Sequence, residues 1–296
     1  MPESHWHIMG AGAIGSLFAA ALSEQHKHLT LVVKGDSNPG PLTIERETYS
    51  DQVTLPYVNA NNCGPVTHLL VTTKAYDALD AVNTVRAHLA PGAVVVLMCN
   101  GMGIAEAIEA RQPEIGVYRA TTTAGAHRLS GGRIKHVATG QTRIGRQGQD
   151  TAPDWFKPWS ACVENCLWDA NIDVALWQKL AVNAVINPLT ALHRCHNGAL
   201  ASEPSLLKQV KLLCQEVAQV IAAAGYIETA DNLEGTVLEV IKSTSANRSS
   251  MLQDVEAGRR TEIDYITGYL LNHASNKGVA TPLNLELYEQ VRNIGR

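Results

Sequence analysis

A short strand, a glycine turn and an apolar helix open the chain as "HWHIMGAGAIGSLFAAALSEQ", His5 to Gln25, and no other stretch restricts the fold as strongly. Gly10, Gly12 and Gly15 stand at G-x-G-x-x-G spacing. The first glycine allows a tight turn, the second lets the backbone approach a pyrophosphate, and the third lets the helix pack closely on the strand. The N-terminus of that helix then faces the anion. The spacing alone recurs by chance as an ordinary turn. Here a strand precedes it, an apolar helix follows, and "HLTLVV" at 28–33 supplies the next strand. Gly10, Ala11, Gly12, Ala13, Ile14 and Gly15 are therefore read as the phosphate-facing turn of a βαβ unit.

The alternation continues through the first half. "HLLVTTK" at 68–74 predicts a strand, "AYDALDAVNTVRAHL" a helix, and "AVVVLMCNG" at 93–101 another strand, which is the pattern of a mostly parallel sheet. The less regular stretch 37–67 has room for one or two minor strands. Segment 116–145 has the texture of antiparallel hairpins, with "GGRIKH" as a plain hairpin turn, and a helix near 153–165 and a strand at "CLWDA" complete the domain. Beyond about residue 170 only helical periodicity remains, at 173–193, 205–225, 233–244 and 260–278. The expected architecture is α/β plus all-α: a Rossmann-like dinucleotide-binding domain over 1–168, then an all-α helical domain over 169–296.

Composition excludes some partners. With 45% hydrophobic residues, 18% charged residues and a net charge of -4, the chain has no polycationic bias toward nucleic acid or an anionic membrane. Its longest apolar run, "GAVVVLM" at 92–98, is strand-sized, and the first residues lack a basic, then apolar, signal pattern. A cytoplasmic location is expected. The six cysteines form no CxxC pair; Cys162 and Cys166, one helical turn apart by spacing, lack further ligands, and no metal site is expected. His5 and His7 alternate along the first strand and are expected on its exposed face. His193 and His196 flank Cys195 without metal-ligand periodicity and receive no role.

Several polar residues stand out against this background. Lys34 directly follows the second strand, with Asp36 two positions on, and Lys74 ends another strand. A cation at the first of these positions suits a ribose 2′-phosphate, which favours NADP over NAD; two solvated loop lysines are the alternative. Asn100 follows a parallel strand's carboxyl end, where ligands of open sheets bind, or else it simply forms an Asn-Gly turn. In "NIDVALWQKLAVNAVINPLTALHR", the otherwise buried helix carries Lys179, Asn183 and Asn187 four apart on one face. That face is either wet or lines a site, and Pro188 predicts a kink beside Asn187. Asn247, Ser250 and Asp254 follow helical spacing, and Glu262 opens the next helix, where it could cap the first turn.

Taken together, "GAGAIG" at 10–15, "TTKAY" at 72–76, "NGMG" at 100–103, "LWQKLAVNAVINPLTAL" at 176–192, "NGAL" at 197–200 and "SSMLQDVEAGRRTEIDYITG" at 249–268 resemble the ketopantoate reductases, in the family's order and through nearly the whole chain. The resemblance implies NADPH-dependent reduction of ketopantoate to D-pantoate on the route to pantothenate and coenzyme A. It also implies Lys179 as general acid and Glu262 as the essential carboxylate. Asn183, Asn187, Asn197, Asn247 and Ser250 match substrate-binding positions, and Asn100 matches the asparagine between substrate and cofactor. Lys34 and Lys74 match the cations for the NADP phosphate, although arginine is also used at the first.

The chemistry suits these side chains. Hydride arriving at a ketone carbon leaves charge on oxygen, which an ammonium can stabilise and protonate. Amides and a hydroxyl can orient a carboxylate and a terminal hydroxyl without adding charge. The polar helix face is then expected to be one wall of an interdomain active site, in a chain acting as a monomer or a homodimer. Two rivals stay open: a reductase of another 2-keto acid, and a non-catalytic NADP sensor with no need for Lys179 and Glu262.

Overall fold

The computed structural model describes residues 5–25, 28–35 and 38–294. Its chain divides into two compact units, Met1–Cys99 with Ile104–Ile172, and Asn100–Gly103 with Asp173–Arg296.

In chain order the first unit contains β1 (Trp6–Met9), α1 (Ala13–Ser23), β2 (Leu29–Val33), β3 (Leu42–Glu45), β4 (Ser50–Val53), β5 (Tyr57–Asn59), β6 (Val66–Val71), α2 (Ala75–Thr84), β7 (Leu89–Leu97), α3 (Ile104–Arg111), β8 (Gly116–Thr122), β9 (Gly125–Arg128), β10 (Arg133–Ala138), β11 (Thr142–Gly145), α4 (Phe156–Cys162) and β12 (Cys166–Trp168). One sheet has the order β12-β11-β8-β7-β6-β1-β2-β5, and a four-stranded sheet has the order β4-β3-β10-β9. From β5 through β8 the larger sheet is parallel; β11 returns antiparallel to β8. The near-continuous apolar runs of β1, β6 and β7 follow from burial on both faces of a parallel sheet.

Helix α1 is apolar around much of its circumference because it has sheets on two sides. Phe18, Ala19 and Leu22 join Trp6, Leu31 and Trp159 in one core, while Leu17 packs with Ile44 and Ile134 of the smaller sheet. Each large side chain buried in this way contributes roughly 1.5–3 kcal/mol.

Three expectations change here. His7 does not face solvent: β1 is an interior strand with all four residues buried, so alternation along it does not select an exposed face. Strand β8 extends the parallel sheet beside β7, so only its β11 side has the antiparallel pairing expected for 116–145. Cys162 ends α4, whereas Cys166 starts β12, so the two do not share a helix. The Gly131–Gly132 hairpin turn between β9 and β10 is as expected, with both glycines at positive φ.

The second unit is helical among its described residues: α5 (Ile172–His193, whose first residue belongs to the first unit), α6 (Ala199–Ser202), α7 (Pro204–Ala223), α8 (Ile227–Asp231), α9 (Leu233–Ser243), α10 (Ser250–Glu256), α11 (Ile263–Lys277) and α12 (Pro282–Ile294). Leu180, Ala184 and Val185 of α5 share a core with Val217 and Ile221 of α7, Val237 of α9, Leu270 of α11 and Val291 of α12. The α5 helix runs unbroken past the buried Pro188, so no break separates Asn187 from the turns before it. No helix among the described residues is long and apolar enough to cross a membrane.

Candidate functional site

The chain leaves β1 for β2 on one side and returns to β6 on the other, so the loop after Met9 lies at the sheet's topological switch point. Gly10 has φ +107°, and a Cβ there would meet the Thr73 amide nitrogen at 2.6 Å. A Cβ on Gly15 would lie 2.0 Å from the Gly10 carbonyl oxygen and 2.3 Å from Thr72 Oγ1. The Thr72 hydroxyl donates to that same carbonyl at 2.8 Å. Gly12 differs: its φ is -76°, and the nearest atom to an added Cβ is 4.0 Å away. It is the N-cap of α1, with no side-chain cap and no acid in the first turn. The loop thus has open room beside Gly12 and helix-start amides not taken by a side-chain cap, both of which a pyrophosphate requires.

Ala11 offers its carbonyl to the Arg128 guanidinium, and Ala13 and Ile14 begin α1 half-buried. Strands β2 and β6 flank β1, so the two expected cations leave the sheet on opposite sides of the glycine loop. Lys34 is exposed just after β2; Lys74 is the half-buried N-cap residue of α2 just after β6. Asp36 lies outside the described residues.

In the second unit, Lys179 and Asn183 are half-buried on α5 and Asn187 is buried. Glu262 is only 4% exposed and is the N-cap residue of α11, yet its side chain makes no cap bond. Its carboxylate instead accepts a hydrogen bond from Asn100 Nδ2 at 3.1 Å. The segment carrying Asn100 is seated on α11: the Met102 amide donates to the Tyr265 carbonyl at 3.0 Å, and Gly101, at φ +86°, leaves no room for a Cβ against Tyr265. Two residues separated by 162 positions are thereby brought together.

Asn197 and Asn247 also meet, through the Asn197 amide and the Asn247 carbonyl at 3.0 Å. Asn197 Nδ2 donates to Thr244 Oγ1 at 2.8 Å, and its buried Oδ1 has no partner. The expectation of one helical face for Asn247, Ser250 and Asp254 fails at its first member. Ser249 caps α10 by accepting from the Leu252 amide at 3.0 Å, which ends the helix before Asn247. Ser250 is exposed at the helix start, whereas Asp254 turns inward and pairs with Arg259 Nε at 2.9 Å.

Sequence reasoning missed the residues that hold these groups. Thr72 and Arg128 secure consecutive carbonyls of the glycine loop from 62 and 117 positions away. The Thr190 and Ser249 hydroxyls, 2.7 Å apart, tie α5 to the start of α10. A threonine directly after β6 was the available signal for Thr72; Arg128 had none. Among the described residues, no group of three or more His, Cys, Asp or Glu side chains is placed to hold a metal ion.

Comparison with known proteins gives matches along nearly the whole chain. Residues 6–149 match the family described as ketopantoate reductase PanE/ApbA, and residues 171–295 match its C-terminal part. A 2-dehydropantoate 2-reductase of Salmonella typhimurium is 38% identical over 96% of this chain and 93% of its own. One of Vibrio cholerae is 35% identical, over 97% and 96% respectively. A crystal structure of a PanE/ApbA family ketopantoate reductase from Ralstonia eutropha covers 98% of both chains with a TM-score of 0.89; at 22% identity it shows the shared fold.

Proposed function

The chain belongs to the ketopantoate reductase family, and from that premise we propose that it reduces 2-dehydropantoate to D-pantoate, a precursor of pantothenate and coenzyme A. Residues 1–168 would hold the dinucleotide, and 169–296 the substrate and the proton donor. The observation that carries the reading is the buried Glu262 carboxylate, turned from its own helix to the Asn100 amide at 3.1 Å. A dinucleotide-binding sensor has no need of Lys179 together with Glu262.

NADPH is the proposed cofactor, held by the Gly10–Gly15 loop, with Lys34 and Lys74 offered to its 2′-phosphate from either side. When bound, it supplies the hydride. Lys179 stabilises the developing alkoxide and gives its proton to that oxygen. Glu262, fixed by Asn100, orients the ammonium, and its negative charge favours the protonated lysine. Asn183, Asn187, Asn197, Asn247 and Ser250 bind the substrate's carboxylate and hydroxyl and restrict its orientation.

The test is steady-state kinetics of Lys179→Ala together with a direct NADPH titration. A positioned general acid contributes on the order of 10²–10⁴ in rate, so kcat should fall by that factor while NADPH affinity stays within about twofold. Equal losses in both would contradict the role given to Lys179.

A further inference from the structure

We infer that Arg128 is a dinucleotide-binding residue whose guanidinium takes a phosphate oxygen of the cofactor's pyrophosphate, an inference that rests on the cofactor reading above. Arg128 ends β9 and pairs in register with Ile134 of β10. Ile134 is fully buried and packs with Leu17 on α1. The arginine's backbone is therefore mounted, through one cross-strand pair and one core contact, on the helix whose first turn follows the glycine loop. From there an Nη donates to the Ala11 carbonyl. The small sheet thus does more than cover α1: it delivers a cation to the loop.

The electrostatics of that position call for an anion. A helix N-terminus carries a partial positive charge and disfavours a neighbouring cation. Here the first turn of α1 contains no acidic residue to offset it. Arg128 consequently adds positive charge where the helix dipole is already positive, beside Gly12, the one loop glycine with open space around its missing Cβ. The contact with Ala11 uses only one of the guanidinium's several N–H donors, and the planar fork matches a phosphate's oxygens. Pyrophosphate, common to NADPH and NADH, is the anion that the glycine loop itself is shaped to receive.

The experiment is titration of NADPH and NADH into the full chain and its Arg128→Ala, Arg128→Gln and Arg128→Lys variants, with Lys34→Ala for comparison. Arg128→Ala should weaken both dinucleotides by a similar factor, roughly tenfold to a hundredfold, as for loss of a charge-assisted hydrogen bond. Arg128→Lys should recover part of the loss. Arg128→Gln, which retains a donor for the Ala11 carbonyl but no charge, should bind as weakly as Arg128→Ala. Lys34→Ala should instead weaken NADPH far more than NADH. Unchanged affinity in Arg128→Ala, full recovery in Arg128→Gln, or a loss confined to NADPH would each overturn the inference while leaving the cofactor reading intact. Failure of the unaltered chain to bind either dinucleotide would overturn both.

Discussion

The glycine loop makes a prediction that separates folding from binding at two positions three residues apart. In Gly15→Ala the new methyl would lie 2.0 Å from the Gly10 carbonyl oxygen and 2.3 Å from Thr72 Oγ1, inside the 2.8 Å hydrogen bond that joins those atoms. Overpacking of this kind costs about 1–3 kcal/mol, and loss of the hydrogen bond adds about 1 kcal/mol. A unit of this size loses roughly 2–4 °C of Tm per kcal/mol, so the cofactor-free variant should melt roughly 5–15 °C below the parent. In Gly12→Ala the methyl meets nothing closer than 4.0 Å, at φ -76°, which alanine adopts readily. A glycine replaced under such conditions contributes about 0.4–1 kcal/mol through the unfolded chain, which alanine's weaker preference for the N-cap position offsets by a similar amount. Its methyl, however, occupies the room proposed for the pyrophosphate. Thermal melts of the two variants, with and without NADPH, provide the assay, because the ligand-induced shift reports affinity. Gly12→Ala should melt close to the parent without cofactor and lose most of the NADPH-induced shift. A several-degree drop in cofactor-free Gly12→Ala, or a full NADPH shift in it, would refute the steric account of the loop.

Further outcomes follow from groups outside the site. Burial, then the neighbouring His5, lowers the pKa of His7 to about 4. Since the folded value lies below the unfolded value of about 6.5, this contribution is present above pH ~6.5 and is lost as pH falls toward 4, amounting to at most roughly 3 kcal/mol. Urea unfolding between pH 7 and 4 should show that slope, and His7→Leu should flatten it; an equal slope in the variant would remove His7 as its cause. Glu216, buried on α7, accepts from the Leu283 and Asn284 amides at 2.9 and 3.0 Å and from Asn284 Nδ2 at 2.8 Å, which secures the start of α12. Glu216→Ala should cost about 2–4 kcal/mol in urea unfolding, and a loss below ~0.5 kcal/mol would show that α12 is held by its apolar face alone.

What the sequence disclosed follows from the range of the interactions involved. Gly10, Gly12 and Gly15 were legible because backbone geometry at a strand-to-helix turn is a local requirement. The α5 face was legible because helical periodicity brings Lys179, Asn183 and Asn187 into line. Helix α12 was missed: Leu283 and Leu285 are exposed and only Leu287 and Val291 are buried hydrophobics, so its apolar stripe is thin; the Thr-Pro start at 281–282 was the available clue. His7 misled because strand alternation signals exposure only where one sheet face meets solvent. The partnerships of Asn100 with Glu262 and of Arg128 with Ala11 depend on tertiary folding across more than a hundred residues, and no local pattern encodes them.

The most direct test of the central claim is the rate at which reduced-nicotinamide absorbance disappears when purified protein meets 2-dehydropantoate, compared with other 2-keto acids and with NADH in place of NADPH. Rapid turnover with NADPH and 2-dehydropantoate, and much lower kcat/KM for the other combinations, is the expected result. NADPH binding without turnover on 2-dehydropantoate, or faster turnover of another keto acid, would contradict it.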